Sequence, residues 1–184
     1  LGHERFTAIA AKHGVQVNLK PCDLGRVFSV SGGLPLAQRP PQRQAYRLVE
    51  LARWSEFLGV PLNPQPTFFP VSGDAASKLV IAVQLAHGTA RAMELIGAIG
   101  RALWAEQRNI ADAATLAQLA DSIGLEGAAL LKASDAQAVQ AAYTQHTQDA
   151  VSVGAFGAPW YVYDGQPFWG QDRLDFLDRA LAAG

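Results

Sequence analysis

Two short runs near the C-terminus carry residue types that chemistry needs. In Gly157-Ala158-Pro159, a cis Ala158–Pro159 bond would turn the backbone N–H and C=O of Ala158 outward, free to pair with an extended peptide. Read locally, the same tripeptide is also an ordinary loop with a trans proline. In Phe168-Trp169-Gly170-Gln171-Asp172-Arg173, Gly170 precedes a helix whose first N–H groups lack intrahelical partners. A carboxylate could dock there on Gln171 and Asp172, with the Asp172 side chain holding a neighbouring ammonium. Those two charges side by side are an amino-acid head group. Asp172 at this spacing also serves as a plain helix cap, and spacing alone favours that reading.

Other reactive types offer less. Cys22 has no second cysteine to pair with, so it reads as a buried structural thiol rather than a nucleophile. His3, His13, His87 and His146 show no HxxxH or HExxH spacing, and no metal site is expected. His3 has the best functional claim among them, although a solvated helix position accounts for it too. Trp54, Trp104 and Trp160 read as core or pocket wall, whereas Trp169 belongs with its neighbours in the second run.

The elements that must position these runs follow from periodicity. Phe6, Ile9, Ala10 and His13 keep helical spacing up to Gly14. Val15-Gln16-Val17-Asn18-Leu19 alternates as a half-exposed strand. Ser31-Gly32-Gly33-Leu34-Pro35 is turn chemistry, and a helix resumes near Arg43, with Leu48, Leu51 and Leu58 on one arc, ending at Gly59. A proline-broken loop follows through Pro70. Residues 74–150 read as helix throughout. Within them Gly97 and Gly100 open one stripe to close approach, and Ser134-x-x-Gln137 has the form of a capping box. Trp160-Tyr161-Val162-Tyr163 and Gln166-Pro167-Phe168-Trp169 flank Asp164-Gly165, a hairpin signal, and a last helix buries Leu174, Leu177 and Leu181.

This order is helix, strand, helical block, hairpin, helix. With a parallel strand ahead of the first helix it gives the thioredoxin topology. The expected fold class is therefore α/β, a thioredoxin-like fold with an all-helical insertion domain. Residues 1–70 and 151–184 form the thioredoxin-like domain, and residues 71–150 the insertion. That topology also argues for a cis Ala158–Pro159 bond. The opening Leu1-Gly2-His3 offers no capping residue before its helix, so the first strand is expected upstream of Leu1, and a leader peptide there stays open.

Composition narrows the partners. The 184 residues carry 15 basic and 16 acidic side chains, a net charge of -1, which provides no field for nucleic acid or anionic lipid. The longest apolar runs, such as Leu79 to Ala86, are too short to span a bilayer. One cysteine excludes an internal disulfide and fits a reducing, cytoplasmic setting.

The run from Phe156 to Trp160, together with Phe168 to Leu174, resembles the 2-hydroxychromene-2-carboxylate isomerase family, relatives of the kappa-class glutathione transferases. Leu1-Gly2-His3-Glu4-Arg5-Phe6 resembles the stretch after that family's Ser-Pro-x-x-Tyr motif. Asp23-Leu24-Gly25, Arg53-Trp54 and Phe68-Phe69-Pro70 are similar to its middle section. The likeness covers essentially the whole chain, and Phe-Trp-Gly-Gln-Asp-Arg is its most specific part. It implies glutathione as cofactor: Ala158 beside Pro159 would hold the cysteinyl part, Gln171 and Asp172 the γ-glutamyl head, with Trp169 and Gly170 lining the same edge. The implied catalytic serine lies upstream of Leu1. The implied reaction is cis-trans isomerisation of an aromatic catabolite by reversible thiolate addition, and the implied assembly is a homodimer.

One departure concerns the substrate. Many relatives carry Asn where this chain has Gly33, and the expected basic residue beyond the prolines is matched by Arg43 or Arg39. A small aromatic carboxylate would use either arginine. Two alternatives stand beside the isomerase. A disulfide oxidoreductase of the same fold would carry Cys-x-x-Cys upstream of Leu1. A kappa-like transferase or non-catalytic glutathione-binding protein would keep the groove without this turnover.

Overall fold

The computed structural model describes residues 1–184 and is mostly helical around one short hairpin. Helix α1 (His3–Lys12) ends where Gly14 takes φ +62°, a left-handed conformation that glycine adopts without a Cβ clash. Helix α2 (Leu24–Ser31) was not anticipated. The Asp23 carboxylate accepts from the Arg26 N–H at its N-cap, Gly32 closes it at φ +75°, and Val27 is its one buried residue. Helix α3 (Pro41–Leu58) starts on a proline at its first position and stops at Gly59.

The segment 15–19 departs from expectation. Val17 and Leu19 are half-buried while Gln16 and Asn18 are exposed, but Val15 is exposed too, so the alternation is realised only from Gln16 onward. No strand lies beside it, however, and without a neighbour there is no ladder. Leu19 instead packs against the helical core, and its carbonyl accepts from Gln84 Nε2 at 3.2 Å.

Helix α4 (Asp74–Trp104) is the spine of the helical block. It is long and apolar enough, by length and composition, to cross a membrane, which the individual apolar runs did not suggest. Gly88, at φ +84° and ψ 171°, breaks it into 74–87 and 89–104, and each part falls short of the ~20 residues that a span needs. Helices α5 (Ala113–Ser122), α6 (Gly127–Ala133) and α7 (Gln137–Ser152) pack around α4. The main core cluster is built from residues 76–130, with Leu79, Val83, Leu95 and Leu116 fully buried. The capping box does not form. Ala136 is the N-cap of α7, and the Ser134 hydroxyl, at the end of α6, donates to the Leu131 carbonyl at 2.6 Å.

Strands β1 (Trp160–Tyr163) and β2 (Gln166–Trp169) form an antiparallel hairpin pairing Trp160 with Trp169. Asp164 and Gly165 both have positive φ, 47° and 72°, as a type I′ turn requires. Helix α8 (Leu174–Ala183) returns across the hairpin with Leu174 and Leu177 buried. On α3 the arc of Leu48, Leu51 and Leu58 is half-buried while Tyr46, Val49 and Phe57 are exposed, and no residue of the helix is fully buried.

Candidate functional site

The turn before β1 and the end of β2 make one surface. The Ala158–Pro159 bond is cis, and the Pro159 carbonyl accepts from the Gly170 N–H at 3.0 Å. Ala158 is exposed, and neither its N–H nor its C=O has a partner in the chain. A Cβ on Gly157 would stand 2.7 Å from Trp169 Nε1, so the bare backbone there is what lets the indole lie across the turn. Trp169 is half exposed, its ring edge-on to Phe156 at 4.8 Å.

At the far end of this edge Gly170 takes φ +92°, and the Asp172 carboxylate folds back over it where any side chain would collide. Residues 171–173 form a 3-10 turn rather than the first turn of an α-helix, which begins at Leu174. Asp172 is not a helix cap: its carboxylate accepts no backbone N–H and pairs with Arg173 instead. The backbone N–H groups of Gln171 and Asp172 are unpaired. Two free donors beside a cationic side chain suit a carboxylate, and the exposed Asp172 suits an ammonium.

Helix α1 brings its first turn to the same place. A Cβ on Gly2 would be 2.8 Å from the Gln171 Cβ. Arg5 donates to the Gln171 carbonyl at 3.1 Å and to its Oε1 at 3.3 Å, and pairs with Asp175 at 3.0 Å. Sequence reasoning missed Arg5 as the residue that positions Gln171, because the partners are 166 residues apart. Phe6 lies against Tyr161 at 4.7 Å, and burial pushes the Tyr161 hydroxyl up to about 12. Asp178 anchors the other end of α1, within 2.6 Å of His13 Nε2 and 2.9 Å of Lys12 Nζ.

The glycine stripe of α4 meets α1 here. A Cβ on Gly97 would stand 2.9 Å from His3 Nε2, so the close neighbour that Gly97 admits is this imidazole. The ring makes no hydrogen bond within the chain. Burial lowers its pKa from the ordinary histidine value, Glu4 opposing and Arg101 assisting. Gly157, Ala158, Trp169, Gly170, Gln171, Asp172 and the start of α1 thus form one edge, which α4 approaches where Gly97 meets His3.

The arginines stand apart from that edge. Arg39 donates its Nε–H to the Leu34 carbonyl at 2.8 Å, and Arg43 is exposed on α3. Neither bonds to residues 157–159 or 169–172. Arg47, which sequence reasoning passed over, lies over Phe69 at 5.0 Å and Trp104 at 5.6 Å. Gly33 is covered by the Phe28 ring so closely that a Cβ would strike it. An asparagine at 33 does not fit unless Phe28 moves. Cys22 is half-buried, and burial with Asp23 beside it pushes its thiol up, away from the reactive thiolate.

A hairpin and terminal helix carrying a cis-proline turn, with a helical block inserted before them, define a thioredoxin-type domain. The model of the DSBA-like thioredoxin domain family matches residues 1–182, and the chain belongs to that family. Among individual proteins, it is 29% identical over 182 residues to a 2-hydroxychromene-2-carboxylate isomerase of Sphingobium xenophagum, covering 98% of this chain and 90% of that protein. A protein of the same name from Pseudomonas putida is 26% identical over 184 residues, covering 98% and 87%. A solved structure of 2-hydroxychromene-2-carboxylate isomerase superposes with a TM-score of 0.81 at 22% identity, over 99% of this chain and 87% of that one.

Proposed function

We propose that this protein is a glutathione-dependent isomerase of the 2-hydroxychromene-2-carboxylate type, acting on a small aromatic carboxylate. The observation that carries the reading is the end-to-end similarity to relatives of that name, spanning 98% of the chain. The site supports the cofactor. Ala158 offers a free N–H and C=O to a cysteinyl backbone, while Gln171, Asp172 and the exposed Asp172 carboxylate suit a γ-glutamyl head group. When bound, glutathione would supply a thiolate for reversible addition to a conjugated carbon, so that a double bond becomes rotatable. The chain's own residues do the rest. Arg5 holds Gln171 in place, Trp169 covers the turn, and His3 sets α1 against Gly97 of α4.

A homodimer in the cytoplasm belongs to the same reading. Helix α3 supports the dimer, since Phe57 is 79% and Tyr46 57% exposed, with Phe57 meeting only the edge of Trp54 on its own helix among aromatic rings.

Calorimetry with glutathione tests the reading, using Asp172→Ala and Asp135→Ala for comparison. Asp178 is unsuitable as a control because it anchors α1. Loss of about 1.5–3 kcal/mol at Asp172 alone is expected, with glutathione-dependent turnover of 2-hydroxychromene-2-carboxylate. No binding, or equal losses at both positions, refutes the glutathione site.

A further inference from the structure

A cleft of about 260 Å³ lies between α3 and the proline-rich loop, lined by Leu36, Gln44, Arg47, Pro64, Gln65 and Phe69. Arg47 is its only charged group. Its guanidinium is held over two aromatic rings, yet none of its N–H groups has an acceptor in the chain and no carboxylate pairs with it. Arg39 is close enough to add a second positive field, which, with burial, lowers the Arg47 pKa. A guanidinium held against aromatic walls with no counter-charge is a site for an anion that also has an apolar body.

We infer that this cleft binds the carboxylate end of an aryl acid through Arg47. The identification of that acid with the isomerase substrate rests on the function proposed above. The placement fits that use. Trp104, beneath Arg47, lies seven residues beyond Gly97, beneath His3, which is about 10 Å along α4 and nearly the same face. Gly100 stands between them, and a Cβ there would meet nothing within 4 Å. An aromatic acid whose carboxylate reaches Arg47 therefore has open floor along α4 toward the edge formed by Gln171 and Ala158.

The test is calorimetry on the full chain with cinnamate, a stable planar aryl carboxylate, and with its neutral amide. Cinnamate is expected to bind and cinnamamide to bind at least tenfold more weakly. Arg47→Gln should weaken cinnamate roughly ten- to hundredfold, and Arg53→Gln, exposed on the same helix, less than twofold. Because Arg47 also packs on Phe69 and Trp104, Gly100→Leu provides a second route. It should keep or raise the melting temperature, since leucine favours helix over glycine, while weakening cinnamate binding by filling the floor. Absent cinnamate binding, equal affinity for the amide, or an Arg47→Gln protein that binds as the unaltered chain does would each overturn the inference. Glutathione binding separates the two ideas. Its retention alongside Arg47-independent cinnamate binding sinks only this cleft, and its absence alongside Arg47-dependent cinnamate binding sinks only the cofactor reading.

Discussion

The helical block and the hairpin layer are held together by different physics. In the block, fourteen buried residues between Ala76 and Leu130 make one apolar cluster. In the layer formed by α1, β1, β2 and α8, the buried side chains are few: Ala10, Leu174 and Leu177. What joins α1 to α8 there is polar, from Arg5 to Gln171 and Asp175 and from Lys12 and His13 to Asp178. The candidate binding edge lies in this second layer, where backbone groups stay free because so little packs over them. Stability is concentrated in one region and accessible polar chemistry in the other.

Cutting into each region tests that division. Leu95→Ala removes a fully buried side chain from the centre of the block, and should destabilise the protein by about 3–5 kcal/mol. Leu174→Ala, equally buried but in the thin layer, should cost nearer ~2 kcal/mol because its surroundings can collapse. Denaturant titration measures both, and glutathione calorimetry adds the sharper contrast. Leu174→Ala should weaken binding under conditions where both variants are folded, and Leu95→Ala should not. A reversed pattern would mean that the block shapes the glutathione edge more than its own layer does.

Gly33→Asn probes a smaller effect on the same scale. With Phe28 packed over position 33, the added side chain should cost about 1–3 kcal/mol by overpacking. Phe28→Ala in the same protein should recover most of that loss by vacating the space. Melting temperatures of the two single variants and the pair decide it. Strictly additive losses would show that Phe28 is not what excludes asparagine from this turn.

Features specified by adjacent residues were legible in the sequence. Asp164-Gly165 fixed a hairpin, Gly14 and Gly59 ended helices, and Phe168 to Arg173 marked the edge that Ala158 joins. Features that depend on distant partners were not. The alternation at 15–19 could not report whether a strand lies beside it. Helix α2 buries only Val27, too little to leave a periodic stripe, although Asp23 three residues before Arg26 was a usable capping signal. Ser134 and Gln137 matched a capping box, but the Ser134 hydroxyl was taken by the Leu131 carbonyl. The glycines at 97 and 100 announced close approach without saying that His3 would fill one position and nothing the other. Arg39 and Arg43 are what the family resemblance points to, whereas the two aromatic rings under Arg47 come from separate elements.

The polar staple makes the stability of the layer depend on pH. Lys12 and His13 donate to Asp178 and hold its carboxyl below the usual carboxylate range. A carboxyl with a depressed pKa in the folded state adds stability that is complete above its unfolded value, about 3.9, and is lost as pH falls through the lower folded value. The stability of the unaltered chain should therefore fall more steeply with acid below about pH 4 than that of Asp178→Asn, which has no carboxylate to protonate. At neutral pH the same substitution should lower stability only slightly, since exposed ion pairs contribute little. Parallel slopes below pH 4 would show that α1 is held to α8 by Leu174, Leu177 and the Arg5 contacts alone. The remaining acid sensitivity would then be sought at Asp149, whose carboxyl is lowered in the same way by Lys20 and Gln145.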